Sequence, residues 1–118
     1  MLTIYGIPNC DTVKKARNWL ENQGINYTFH DYKLLGLSPE KLAQWMQQRA
    51  WTEVLNARSS TWRELPRATK DTVVDASSAA TVLLENLSMI KRPLVEQDGK
   101  VILIGFDQKQ WEAGLRDV

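Results

Sequence analysis

The sequence predicts an α/β fold with a mixed sheet, in the order βαβ, helical block, β-hairpin, helix. Three stretches predict it. The opening TIYGIPNCDTVKKARNWLENQG passes from a β-branched, aromatic segment into an amphipathic helix. The middle carries helix caps and three- and four-residue apolar spacing. The end, PLVEQ-DG-KVILIG, is two β-type runs joined by the two-residue hairpin signal Asp98-Gly99.

Taken in order, Leu2 to Gly6 reads as a buried strand, stopped by Gly6 and Pro8. From Asp11 to Gln23, Val13, Ala16 and Leu20 lie near one helical face, with Lys14, Lys15, Asn18 and Glu21 outward. Gly24 is a natural stop, free to take positive φ. INYTFHDY then predicts a second strand with His30 on its surface, and strand–helix–strand implies a right-handed parallel βαβ unit. Ser38-Pro39-Glu40 supplies an N-cap, a proline at N1 and an acid in the first turn of a helix repeating Leu42, Trp45, Met46 and Arg49. DASSAATVLLENL predicts a later helix with Ala79, Val82, Leu83 and Leu87 inward. After the hairpin, Asp107 caps a last helix carrying Trp111 and Leu115. No repeat or linker interrupts the chain, so one domain over 1–118 is expected, with a helical insertion at about 36–88. This is the element order of a thioredoxin-like fold with helices inserted between its halves.

A chain of 118 residues is long enough to bury about two-thirds of its unfolded surface. Fifteen basic against fourteen acidic residues leave a net charge of +1, which argues against a nucleic-acid or membrane partner. MLTIYGIPN shows neither a basic leader nor an apolar run of secretory length, and Val101–Ile104 is far too short to cross a bilayer. A single cysteine excludes an internal disulfide, and one cysteine with one histidine makes a poor transition-metal site. A cytoplasmic monomer with no bound metal or cofactor is expected.

That single cysteine, Cys10, stands in the loop where the first strand hands over to the first helix. Sites of α/β folds gather at the carboxyl ends of strands. Unpaired N–H groups and the helix dipole favour an anion there, which lowers a thiol pKa. Lys14, one turn on, adds positive charge, while Asp11 opposes it unless its carboxylate turns aside to cap the helix. A thiol at about 8.5 is roughly 3% ionised at pH 7, and one near 6.5 is roughly 75% ionised. That shift needs only about 2.7 kcal/mol. In a C-x-x-C enzyme a second sulfur resolves the mixed disulfide, but Val13 holds that position here. Any disulfide formed by Cys10 must be opened by an outside thiol.

The stretches IYGIPNCDTVKKARNWL, NARSSTWREL, IKRPLV and GKVILIGFD, in that order, resemble the arsenate reductase (ArsC)/Spx family and most of all its YffB branch. The resemblance implies that Cys10 is the nucleophile and that Arg58 and Arg92 bind an oxyanion or stabilise the thiolate. It implies a cis proline at Pro93 facing the cysteine. Asn9, Asp11, Thr12, Lys14 and Pro93 are expected to contact substrate or glutathione. Two departures matter. The third arginine of glutathione-dependent arsenate reductases is matched by about Gly105, and the C-x-x-C pair of redox-regulated Spx proteins is Cys10 and Val13. A thiol reductase using glutathione, or a glutaredoxin-like thiol donor, is therefore implied. The alternative is an Spx-like module that binds a protein partner without catalysis.

Overall fold

The computed structural model describes residues 1–115, so residues 116–118 of the expected domain lie outside the described residues. Alternation gives the first strand two faces: Leu2 and Ile4 of β1 (Leu2–Gly6) enter a core, and Thr3 and Tyr5 point to the other side. Gly6 ends the strand where the next element passes close, since a Cβ there would meet Val13 Cγ2 at 3.0 Å. Helix α1 (Asp11–Asn22) packs against that end and buries Val13, Ala16 and Leu20, as its spacing predicts. Gln23 is its C-cap, and Gly24 follows at φ 69°.

Strand β2 (Tyr27–Asp31) runs parallel to β1, with Asp31 opposite Gly6. It is shorter than the alternation in INYTFHDY suggests. The Asp31 carboxylate accepts from the backbone N–H of Lys33 (3.0 Å) and Leu34 (3.3 Å), which turns the chain into a one-turn helix, α2 (Tyr32–Leu35). Tyr32 thus belongs to that turn and not to the strand.

The chain forms two compact units, one of residues 1–36 with those from Arg92 onward, the other Leu37–Lys91. In the second, the Ser38 hydroxyl accepts from the Lys41 N–H and opens α3 (Pro39–Gln48), which buries Leu42 and Trp45. Arg49 ends the repeat as an extended C-cap. Short helices α4 (Trp51–Val54), α5 (Ser60–Glu64) and α6 (Arg67–Asp71) follow. An Asp75–Ser78 capping box then starts α7 (Ala76–Glu85), which packs on α3. Leu87, expected on the α7 face, lies instead in a 3₁₀ turn, because Asn86 breaks the helix and returns its Nδ2 to the Val82 carbonyl at 3.0 Å. An antiparallel bridge between Leu55 and Ile90, with Lys91 N–H donating to the Val54 carbonyl at 2.8 Å, closes this unit.

In the first unit, β3 (Leu94–Gln97) and β4 (Lys100–Ile104) form the predicted hairpin, its turn residues at φ 51° and 84° as a type I′ turn requires. β3 lies antiparallel to β1, with Leu94 opposite Tyr5, so the mixed sheet has the order β2-β1-β3-β4. Asp107 accepts from the Gln110 N–H at 3.1 Å and caps α8 (Gln108–Gly114). That helix delivers Trp111 to a core of Leu2, Ile4, Ala16, Leu20, Val95 and Leu103. No described helix is long and apolar enough to cross a membrane.

Candidate active site

Cys10 is itself the N-cap of α1, extended at φ −147° and ψ 123°, with its carbonyl accepting from the Lys14 N–H at 2.9 Å. An N-cap side chain ordinarily accepts from the second or third N–H of its helix. The half-buried sulfur faces those two donors, on Thr12 and Val13, without a well-aligned cap bond. Ionising the sulfur is what strengthens such contacts. Burial is the largest single influence on the thiol and raises its pKa. The Val13 N–H, the hydrogen bond and charge of Arg92, and the Thr12 N–H together outweigh it, so the thiol sits below its ordinary value.

Arg92 reaches Cys10 because β3 is the neighbour of β1: its strand begins beside Tyr5, one residue before the strand end that leads to the Cys10 loop. The Arg92–Pro93 peptide is cis, as the family resemblance implies, and Pro93 is buried. The guanidinium is half-buried, which works against its charge, yet Cys10 and Tyr32 hold it more firmly protonated than usual. Tyr32 is the residue that sequence reasoning missed. Its ring is fully buried, and its hydroxyl lies beside the guanidinium without a well-aligned hydrogen bond among the described residues. Burial pushes that hydroxyl up to about 12, against the opposing pull of Arg92. The available signal was Asp31 with Gly36 five residues on, an Asx-capped turn that strand alternation masked.

The other expected residues divide. Asn9, Asp11, Thr12 and Lys14 are exposed on the loop and first turn around Cys10. Asp11 is the first helical residue, an acid in the first turn where the helix dipole is positive. Arg58 belongs to the helical unit, exposed between α4 and α5, with its own N–H donating to Asn56 Oδ1 at 3.0 Å. Gly105 follows β4 at φ 79°, its N–H donating to the Pro93 carbonyl (2.8 Å) and its carbonyl accepting from Trp111 Nε1 (2.9 Å). A side chain there would carry a strained backbone, so an arginine is not merely absent but disfavoured. An open cleft of about 460 Å³ lined by Arg17, Glu21, Tyr27 and Phe29 shares no residue with this site. Its arginine is already engaged by Tyr27 (3.0 Å to the hydroxyl) and the Phe29 ring (4.1 Å).

Cys10 at the N-terminus of α1 thus has beside it an arginine that precedes a cis proline. The family model described as ArsC family matches residues 5–114. The chain belongs to the ArsC family. An uncharacterized protein of Haemophilus influenzae is 47% identical, the match covering 98% of this chain and 99% of that one. The solved YffB protein superposes with a TM-score of 0.90 at 41% identity, covering 98% and 99% of the two chains. An arsenate reductase (ArsC) related protein from Brucella melitensis is 50% identical over 95% of this ArsC-family chain and 92% of its own, with a TM-score of 0.78. A global transcriptional regulator Spx of Streptococcus agalactiae is 27% identical over 98% of this chain and 83% of its own. The likeness to the two solved structures gives this chain the thioredoxin-like fold expected from the element order.

Proposed function

We propose that this protein is a monothiol reductase whose Cys10 thiolate attacks a glutathione-containing disulfide. The sulfur–sulfur bond of the substrate breaks, one thiol leaves as thiolate, and Cys10 retains glutathione in a mixed disulfide. A second glutathione, or a glutaredoxin-like thiol donor, then attacks that bond, restores the Cys10 thiolate and leaves as a disulfide. The observation that carries the reading is a cysteine with depressed pKa at the N-terminus of α1, beside Arg92, with buried Val13 where a resolving sulfur would stand. Arg58 enters by family resemblance alone, as a second cation for an anionic part of the substrate. A cytoplasmic setting, where glutathione keeps thiols reduced, suits this chemistry.

Arsenate is expected to be a poor substrate. Without a third arginine at Gly105, the arsenate oxyanion loses one charge-assisted contact, worth about 1.5–3 kcal/mol, or roughly ten- to hundred-fold in rate. The test is a steady-state comparison on the purified protein, with glutathione as the reductant. Turnover of a glutathione mixed disulfide with weak or absent arsenate reduction is the expected outcome; efficient arsenate reduction would overturn it. The similarity to Spx relatives favours a second reading, a protein-binding module without catalysis, in which a Cys10→Ala variant keeps its partner and the parent shows no turnover.

A further inference from the structure

We propose that Tyr32 is a positioning residue of the thiol site, whose buried hydroxyl orients the Arg92 guanidinium over Cys10 when the sulfur carries charge or a disulfide. The inference rests on the reading of Cys10 as the reacting thiol and adds to it a residue that none of the sequence motifs marks. Tyr32 is 0% exposed, yet its hydroxyl has no well-formed hydrogen bond among the described residues. A purely packing role would be met by phenylalanine, which buries the same ring without desolvating a hydroxyl. A buried polar group left in this state calls for a reason.

Its place in the fold supplies one. Tyr32 follows Asp31, which the parallel register sets opposite Gly6, so the ring stands where β1 hands over to the Cys10 loop. Arg92 arrives at that same end of the sheet, two residues before Leu94, the antiparallel partner of Tyr5. Three segments of one compact unit therefore converge on the sulfur: the N-terminus of α1, the start of α2 and the residue before β3. A guanidinium offers five donors in a rigid fork, and an acceptor on one of them decides which way the rest face. The Tyr32 oxygen is that acceptor, and in resting sites such bonds are often poorly aligned until the charged or bound state forms. Arg92 is the charged side chain that acts on both Cys10 and Tyr32, Cys10 and Asp31 act in addition on Tyr32, and Asp11 and Lys14 stand exposed on the first turn of α1.

The test is the pH profile of Cys10 alkylation by iodoacetamide in a Tyr32→Phe variant of the full chain, with thermal unfolding measured alongside. The midpoint should rise by about one unit, roughly a tenfold loss of thiolate at pH values below it, while the unfolding temperature stays level or climbs. A folded variant with the parent's profile would overturn the inference. Loss of the fold would overturn it equally, since it would mean that the hydroxyl holds the structure. Arg92→Ala and Arg92→Ala/Tyr32→Phe should share one profile; a further shift in the double variant would mean that Tyr32 does not act through Arg92. A parent profile like that of a free cysteine would instead contradict the proposed function, so the two failures are distinct.

Discussion

Replacing Cys10 by serine is expected to abolish mixed-disulfide formation outright. Incubated with glutathione disulfide, the parent should gain one glutathione per chain, and Cys10→Ser should gain none, by intact-protein mass spectrometry. The whole effect rests on one atom. The chain has a single cysteine, the position three residues on is a buried valine, and a serine hydroxyl at neutral pH neither ionises nor forms a sulfur–sulfur bond. Disulfide exchange by the variant should fall to the uncatalysed background. Disulfide-linked dimers of the parent as the only oxidised product would count against a glutathione site, because Cys10 would then be reacting merely as an exposed thiol.

The largest expected loss of stability comes from Trp111→Ala. Trp111 is fully buried, stacks edge-on against Trp19 (6.0 Å, 88°) and Phe106 (5.0 Å, 79°), and donates its indole N–H to Gly105. Removing it leaves a cavity among Leu2, Ile4, Leu20 and Leu103 and strips the Gly105 carbonyl of its donor. A cost of about 3–5 kcal/mol follows, a large share of the 5–15 kcal/mol typical of a domain. Urea unfolding checks it, and a loss under about 1 kcal/mol would show that the site collapses around the gap. Trp111→Phe should fall between, keeping most of the packing and losing the hydrogen bond.

Much of this was legible because local chemistry and tertiary fold agree. Ser38 and Asp107 each cap the helix they were expected to cap, Asp98-Gly99 makes the hairpin, and Val13, Ala16 and Leu20 bury the face their spacing marks. Cys10 and Arg92 were legible for different reasons, the first from its place after a strand and the second only from family resemblance. What the sequence concealed depends on register. Glu96 is buried, and its carboxylate accepts from the Tyr5 hydroxyl at 3.0 Å. Pairing Thr3 with Glu96 and Tyr5 with Leu94 makes Tyr5 and Glu96 diagonal neighbours on one face, a relation between residues 91 positions apart that no local pattern encodes. Tyr32 was hidden likewise, since alternation counted it into a strand that Asp31 had already ended.

The depressed thiol pKa also fixes a sign for stability. A group that ionises more readily folded than unfolded adds stability that is fully present above its unfolded value of about 8.5. That contribution is lost as the pH falls through the folded midpoint, so Cys10→Ser should remove stability at alkaline pH and little at acid pH.

Whether Cys10 is a reactive thiolate is tested most directly by the rate of its alkylation with iodoacetamide across pH in the unmodified protein. A midpoint clearly below about 8.5 is the predicted result, and one at or above that value would contradict a thiol activated by α1 and Arg92.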